Sequence, residues 1–234
     1  MIKNQNRRKL IIPMRTRAII LKKQNTGEYD QLVICYTEEF GKLTAIAKSA
    51  LKPSSIQAMH LDTFNLVEFD LINGRVTPII AGAQAEQSYP NLKNNLTNLA
   101  MAYFFIETAN RLFFDYQKDK ELWNFFVALL EEFNNERNRS LEFFRTKQIE
   151  FLNLLGYAPN LSECAFCSAQ MSGSIVAYSI EAKGAVCQSC FLNGSRGIVT
   201  KNGDLFTRPI MGAIFESLVE HKLYSLNFLN SVLR

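Results

Sequence analysis

Four of the five cysteines constrain this chain more than any other feature of its sequence. They form two Cys-x2-Cys pairs, Cys164 with Cys167 and Cys187 with Cys190, separated by 19 residues. Each pair presents two thiolates to one side of a tight turn, and the intervening segment suits a hairpin that brings the pairs together. Because four thiolates match the tetrahedral coordination of Zn²⁺, the sequence predicts one structural zinc ion in a module at residues 161–193.

The segment between the two pairs is predicted to form a zinc ribbon. Residues 175–180 and 185–186 read as its strands, with a turn at Lys183 and Gly184. Two disulfides would require an oxidising compartment, which nothing in the sequence indicates. A redox switch stays open as an alternative, although no Lys, Arg or His lies inside either pair to lower a thiol pKa. The fifth cysteine, Cys35, is expected to be a small buried residue of a strand.

The first third of the chain is rich in short β-type segments separated by turns. Five strands are predicted, at residues 17–22, 31–37, 42–48, 61–71 and 75–81. Asn73 and Gly74 give the strongest short hairpin signal between the last two strands. Five strands in roughly 70 residues fit a small closed barrel, of which the OB-fold is the commonest.

After residue 87 the hydrophobic period changes from two to between three and four, as helices require. Residues 121–133 and 140–155 show the same pattern, and Gly156 followed by Pro159 ends the last of these helices. The phenylalanines of these segments are expected to be core. The predicted fold class is α+β: an N-terminal five-stranded OB-fold barrel at 14–86, followed by an α-helical domain at 87–234 that carries the four-cysteine zinc ribbon.

The excess positive charge of the chain lies in its first third. Residues 1–86 hold 12 Lys or Arg against 8 Asp or Glu, whereas residues 87–234 hold 14 of each. Such a distribution suits a polyanion such as nucleic acid. Residues 1–13 are expected to be a basic extension, either a disordered tail or an arm for the polyanion, and Met14 is an alternative start. Without a signal peptide or an apolar run of bilayer length, we expect a cytoplasmic protein with no membrane partner.

The sequence offers no set of residues for catalysis. Its two histidines, His60 and His221, lie outside any H-x-E or H-E-x-x-H context. A catalytic zinc needs an open coordination position and a nearby general base, which this cysteine set does not suggest. No Walker A, G-x-S-x-G or dinucleotide-binding pattern is present. We therefore expect a protein that is not an enzyme.

The order of these parts resembles the RecO family of recombination mediators. Residues 154–161, which run directly into Cys164 and Cys167, are the most distinctive match. Shorter matches lie at residues 18–21, 27–30, 37–43, 45–50, 85–90 and 222–229. Two features depart from the family: the loop after the third strand offers only Lys48 and Lys52 where arginines are usual, and the segment after the second cysteine pair is short.

The resemblance implies a bacterial, nucleoid-associated DNA repair and recombination protein with no catalytic residue. It implies binding of single- and double-stranded DNA, annealing of complementary strands, and help in loading RecA together with RecR and single-stranded DNA-binding protein. The acidic, Phe-ended tail of that last partner requires an apolar pocket rimmed by cations. The helical domain offers these cations for it: Arg111, Lys118, Lys120, Arg137, Arg139, Arg145 and Lys147.

An OB barrel binds single strands through a positive groove combined with aromatic stacking platforms. Candidate phosphate ligands are the barrel cations Arg15, Arg17, Lys22, Lys23, Lys42, Lys48, Lys52 and Arg75. Tyr29 or Phe40 is the candidate for base stacking. Two alternatives stay open at this point: a zinc-thiolate redox sensor or chaperone, and an RNA-binding barrel with a zinc ribbon.

Overall fold

The computed structural model describes residues 14–135, 140–171, 175–200 and 207–233, so the predicted extension at 1–13 lies outside the described residues. Within these ranges the chain forms two compact units. The first comprises the chain up to Pro90 together with Phe113–Glu131, and the second comprises Asn91–Leu112 and the chain from Glu132 onward.

A closed five-stranded barrel is the centre of the first unit, as the sequence predicts. The strands are adjacent in the order β1-β2-β3-β5-β4, and only the β3–β5 pair is parallel. Small and branched side chains such as Ala18, Ile20, Val33 and Cys35 alternate into its core because successive residues of a strand face opposite sides. Its elements are β1 Met14–Thr26, β2 Asp30–Thr37, β3 Gly41–Ala47, α1 Gln57–His60, β4 Leu66–Ile72 and β5 Ile79–Gln87.

The last two strands begin later than predicted. Leu61 and Phe64 are fully buried, but they precede β4 as a turn in which Phe64 has a φ of 71°. Their apolar character therefore reflects burial outside the sheet. Residues 73–78 form a six-residue loop rather than a two-residue hairpin, and β4 and β5 pair from Ile72 and Ile79 onward.

The segment Phe113–Glu131 packs within the barrel unit. The N–H of Tyr116 donates to the Lys42 carbonyl at 2.8 Å, at the start of β3. Tyr36 of β2 lies among three aromatic rings, with centroid distances of 5.0 Å to Phe113, 6.4 Å to Trp123 and 6.1 Å to Phe126. This cluster extends the hydrophobic interior beyond the barrel strands.

The helices of the second unit pack around phenylalanine rings, which confirms the prediction that these residues are core. Phe104 contacts Phe105, Phe144 and Phe215 edge-on, with centroids 4.8–5.2 Å apart, and all four rings are buried. The helices of the chain outside the ribbon are α2 Pro90–Asn94, α3 Leu96–Leu112, α4 Lys120–Asn135, α5 Leu141–Leu154, α7 Arg208–Val219 and α8 Tyr224–Val232.

The cysteine segment forms the predicted ribbon. Its elements are β6 Ala177–Ser179, β7 Gly184–Val186, α6 Gln188–Leu192 and β8 Ile198–Val199, with the strands adjacent in the order β7-β6-β8. The turn between β6 and β7 includes Lys183, whose φ is 52°. The α+β class, with a five-stranded barrel, helices and a four-cysteine module, is thus confirmed. Across the described ranges, no helix combines the length and the apolar character needed to cross a membrane.

Candidate metal centre and nucleic-acid surface

The structure brings the four predicted cysteine ligands together. The sulfurs of Cys164, Cys167, Cys187 and Cys190 all lie within 4.8 Å of one another. Across the two pairs, Cys167 Sγ lies 3.7 Å from Cys187 Sγ. Cys164 is buried and Cys167 is exposed, so the cluster lies at the edge of the ribbon. Four converging thiols of this kind could bind a metal ion.

Backbone hydrogen bonds hold the turn that carries the first cysteine pair, Cys164 and Cys167. The N–H of Ala165 donates to the Ala185 carbonyl of β7 at 2.8 Å, which ties the first turn to the ribbon sheet. The N–H of Cys164 donates to Ala169 and the N–H of Ser168 returns to Cys164, both at 2.9 Å. Ser168 closes this turn with a φ of 57°.

The second pair uses the start of α6. Cys187 is the N-cap of this helix, and its sulfur accepts the N–H of Cys190 at 3.5 Å. The N–H of Cys187 in turn donates to Cys164 Sγ at 3.5 Å, across the two pairs. The backbone N–H groups of Cys187 and Cys190 therefore point at the sulfurs of Cys164 and Cys187, and they would stabilise these sulfurs as thiolates.

The thiols differ in how readily they ionise. Burial raises the pKa of Cys164, but backbone N–H groups of Cys187, Phe166 and Cys167 outweigh it and lower the pKa to about 6. The hydrogen bond to Cys167 is the main reason why the pKa of Cys190 rises to about 12, with burial and the other thiols adding to it. A divalent cation at the centre of the cluster would favour the thiolate form of all four sulfurs and offset the repulsion between them.

Most of the predicted phosphate ligands of the barrel make ion pairs with carboxylates. Five of the eight do so, with shortest N–O distances from 2.6 to 3.5 Å: Arg15 with Glu68, Arg17 with Glu86, Lys23 with Asp62, Lys42 with Asp115 and Lys48 with Asp30. A phosphate must compete with these carboxylates, so the formal charge of the barrel overstates its attraction for DNA.

Arg17 is the most strongly held of these cations. Its Nε lies 3.1 and 3.0 Å from the two carboxylate oxygens of Glu86, and Glu38 lies 3.6 Å from its Nη1. Its guanidinium also lies 5.9 Å from the ring centroid of Trp123. The hydrogen bond to Glu86 is the main reason why the pKa of Arg17 is raised. The Arg17 guanidinium therefore makes contacts within the barrel unit, and these contacts compete with a phosphate for it.

The other three predicted ligands are exposed: Lys22, Lys52 and Arg75. Among the residues that the structure describes, none of the three forms an ion pair with a carboxylate. The ammonium of Lys52 lies 5.3 Å from the ring centroid of Tyr29, which is 42% exposed. A cation beside an exposed aromatic ring offers a phosphate contact and a stacking surface together.

Hydrogen bonds between loops bring several of these residues to one end of the barrel. The N–H of Leu51 donates to the Tyr29 carbonyl at 2.9 Å, so the loop after β3 lies on the β1–β2 turn. The N–H of Ile46 donates to the Pro78 carbonyl at 2.8 Å, which places the end of β3 beside the β4–β5 loop. We call Tyr29, Lys48, Lys52 and Arg75 on these three loops the barrel-end surface.

Two structural details bear on the candidate residues of the barrel. Phe40, in the turn between β2 and β3 at the other end of the barrel, packs against the core, which leaves Tyr29 as the exposed stacking candidate. Asp30 was missed, although it pairs with Lys48 at 2.6 Å and accepts the N–H of Ser49 at 2.8 Å. Because Gln31 pairs with Ala47 in the β2–β3 hairpin, residues 30 and 48 must be neighbours. The contact between Asp30 and Lys48 therefore follows from the predicted pairing of the second and third strands.

The cations considered for a partner's acidic tail are scattered. Lys118 pairs with Glu39, Arg111 with Glu107, and Lys147 with Glu132 and Glu150. Arg137 and Arg139 lie outside the described residues. Arg145 lines a cavity of about 280 Å³ in the second unit, together with Leu141, Phe144 and Arg208.

The comparisons with known proteins cover both units. The family described as Recombination protein O N terminal matches residues 12–89, and Recombination protein O C terminal matches residues 93–216. The chain is similar to the DNA repair protein RecO of Dehalococcoides mccartyi (strain CBDB1), with 32% identity over 178 residues that cover 75% of this chain and 69% of the relative. It is also similar to the proteins of that name from Acetivibrio thermocellus, with 25% identity over 190 residues (81% and 75%), and from Thermoanaerobacter sp., with 27% over 177 residues (76% and 71%).

Proposed function

The chain belongs to the RecO family, and we propose that it is a recombination mediator that binds single- and double-stranded DNA and anneals complementary strands. It would hold the strands electrostatically and make or break no covalent bond. We assign DNA binding to the barrel domain at 14–86, and partner contacts and the metal to the helical domain at 87–234.

One observation carries this proposal: the Lys52 ammonium and the exposed Tyr29 ring lie together on the barrel-end surface. A single strand could place a phosphate at the ammonium and an adjacent base on the ring. Neither contact distinguishes one base from another, as an annealing protein requires. Lys22 and Arg75, which are also exposed, would add further phosphate contacts.

The paired cations would contribute less. A phosphate at Lys23, Lys42 or Lys48 must displace a carboxylate before it can form a contact. The exchange of one ion pair for another contributes little to the free energy of DNA binding. If Lys22, Lys52 and Arg75 carry the binding, the slope of log K against log salt for single strands would be about −2.

We propose zinc as the ion of the four-cysteine cluster. All four ligands are sulfurs and the pairs converge from two separate turns, as in structural zinc sites. When bound, zinc would cross-link the two turns and so stabilise the ribbon. The residues of the cluster would hold the ion, and no step of strand annealing would pass through it.

We further propose that the partners are RecR and single-stranded DNA-binding protein, with RecA loaded indirectly. The cavity at Leu141, Phe144, Arg145 and Arg208 combines two apolar side chains with two guanidinium groups, which outnumber the single carboxylate of its lining, Glu142. An acidic tail that ends in phenylalanine would find both of the contacts that it needs there. Binding of a fluorescent tail peptide should weaken about tenfold in Arg145→Glu, whereas Lys93→Glu serves as a surface-charge control.

The test of the proposed function is strand annealing without ATP. Dye-labelled complementary strands coated with single-stranded DNA-binding protein are mixed with and without this chain across a salt series. We expect faster pairing that fades as salt rises, and a loss of that acceleration in Lys52→Glu/Arg75→Glu. Lys93→Glu/Lys222→Glu, two substitutions in the other unit, is the matched control.

Absence of acceleration at low salt, with folded and zinc-loaded protein, would refute the proposal. Tighter binding to RNA than to DNA of the same sequence would favour an RNA-binding barrel instead. Release of zinc by mild peroxide with a large structural change would favour a zinc-thiolate redox sensor or chaperone.

A further inference from the structure

The short helix α1 carries two large apolar side chains that the fold does not use. Ile56 is 72% exposed and Met59 is 73% exposed. Resting on the proposed function, we propose that Ile56 and Met59 form an apolar surface on which unstacked bases of single-stranded DNA lie. This surface would extend the barrel-end surface and give the protein a preference for single strands over duplex.

The local backbone places the two side chains on the same side. Ile56 already has helical dihedral angles, with φ −68° and ψ −33°, so residues 56 and 59 are one turn apart on a single helix face. The helix is held by its other side chains: Gln57 Nε2 donates to the Ala81 carbonyl at 3.1 Å, and His60 Nδ1 accepts the N–H of Ala85 at 3.2 Å. Ile56 and Met59 are therefore presented to solvent by a fixed element.

The apolar pair adjoins the cations of the barrel-end surface. The N–H of Ser55 donates to the Lys52 carbonyl at 2.9 Å, so a tight turn separates Lys52 from Ile56. On its other side Lys52 lies against the Tyr29 ring. The features along this edge are thus, in order, an aromatic ring, a cation that forms no ion pair within the described part of the chain, and two apolar side chains.

This alternation matches a single strand better than it matches a protein surface. A strand presents phosphates at one edge and unpaired bases at the other. Ile and Met side chains can contact base faces where these are unstacked, as they do when they wedge between base steps of a kinked duplex. Duplex DNA offers the same phosphates, but its bases are stacked and paired, so the same contact would first cost the free energy of unstacking a base step. The apolar contact would therefore favour single strands, and its contribution would not depend on salt.

The experiment separates the apolar contribution from the electrostatic one. Binding of a fluorescent mixed-sequence single strand and of its duplex is measured by anisotropy over a salt series. The test variant is Ile56→Ser/Met59→Ser, and the charge variant is Lys52→Gln/Arg75→Gln. The control is Phe114→Ser, because Phe114 is 72% exposed on the segment that contacts Lys42, at the opposite end of β3.

We expect Ile56→Ser/Met59→Ser to weaken single-strand binding about tenfold at every salt concentration, with the slope and the duplex affinity unchanged. The charge variant should reduce the slope for both DNA forms, and Phe114→Ser should match the unaltered protein. A single strand that contains 2-aminopurine should change its fluorescence with the unaltered protein and less with Ile56→Ser/Met59→Ser.

One result would overturn the inference while leaving DNA binding intact: equal single-strand affinity in Ile56→Ser/Met59→Ser and the unaltered protein. If annealing of protein-coated strands is impaired in that variant all the same, α1 is a contact for a protein partner instead. If the unaltered protein shows no salt-dependent binding at all, the proposed function itself fails.

Discussion

The carboxylate of Glu107 on α3 accepts a 2.8 Å hydrogen bond from the backbone N–H of Ser225, 118 residues further along the chain. The same carboxylate accepts the N–H of Tyr224 at 3.2 Å, and Glu216 of α7 accepts the N–H of Leu223 at 3.1 Å. No side chain at the N-cap position of α8 supplies such a bond. Two other helices therefore cap α8, and they tie its start to the bundle.

Replacing Glu107 should destabilise this end of the bundle. We expect Glu107→Ala to lower the free energy of unfolding by about 1–2 kcal/mol, since two amides lose their acceptor. Glu107→Gln keeps one acceptor oxygen, but its NH2 group cannot accept from the second amide and the favourable charge at the helix N-terminus is lost, so a loss of about 1 kcal/mol is expected. Urea denaturation measures both. Equal stability of Glu107→Ala and the unaltered protein would mean that water replaces the carboxylate without cost.

The same cap should make stability depend on pH. Burial raises the pKa of Glu107, but hydrogen bonds from Ser225, Tyr224 and Arg111 outweigh it, and the net pKa lies below its ordinary value of 4.5. A lowered pKa means that the stabilisation is fully present above that ordinary value and is lost as the pH falls through the folded-state pKa. The stability gap between the unaltered protein and Glu107→Gln should therefore narrow below about pH 5. A gap that stays constant down to pH 3 would contradict this.

Two buried tyrosines of the barrel unit offer a matched comparison. The hydroxyl of Tyr36 donates to the Asp119 carbonyl at 3.2 Å, whereas the buried hydroxyl of Tyr89 has no partner among the described residues. Burial is the main reason why the pKa of each is raised, that of Tyr36 to about 12. We expect Tyr36→Phe to lower the free energy of unfolding by about 1 kcal/mol and Tyr89→Phe to leave it unchanged or raise it. Thermal denaturation checks the pair, and a loss in Tyr89→Phe would reveal a bound water.

The parts of the molecule that sequence could predict are those set by local spacing. The two cysteine pairs need only two tight turns and a hairpin, so Cys164 and Cys187 could be brought together from the sequence alone. Strand alternation likewise predicted the barrel. It failed at Leu61 and Phe64, because alternation does not distinguish a strand from a buried turn.

The nucleic-acid surface was less predictable because exposure of a cation depends on partners that are distant in sequence. Arg15 lies opposite Asp70 only through the β1–β4 register, and Arg17 meets Trp123 from a segment beyond the barrel strands. In a count of charges along the sequence, Arg15, Arg17 and Lys52 each contribute one positive charge and cannot be told apart. Only the fold separates the cations that hold the barrel from those that face solvent.

Metal content should depend on four cysteines and not on the fifth. We expect one zinc ion per chain in the unaltered protein, and loss of most of it in Cys167→Ser, because three sulfurs no longer close the tetrahedron. Cys35→Ala is the control, since Cys35 is buried in the barrel core. Metal analysis after dialysis, and the visible absorption of Co²⁺-substituted protein, give the readout. Zinc retained in full by Cys167→Ser would place the ion elsewhere.

Asp30 should act as an internal competitor of DNA for Lys48. The hydrogen bond from Lys48, supported by the N–H of Ser49, lowers the pKa of Asp30, so this carboxylate is charged at neutral pH and competes for the Lys48 ammonium. Asp30→Asn retains an acceptor for Ser49 and releases Lys48 to a phosphate. We therefore expect tighter single-strand binding at low salt, with the slope against log salt steeper by about 0.7.

The control for this variant is Glu68→Gln, which removes a carboxylate from Arg15, a cation outside the barrel-end surface. Anisotropy titrations at several salt concentrations measure both variants. Tighter binding in Asp30→Asn with an unchanged slope would show that only a repulsive charge was lost. Unchanged or weaker binding would show that Lys48 makes no contact with the strand. Lys52 and Arg75 would then provide the phosphate contacts of the barrel-end surface without Lys48.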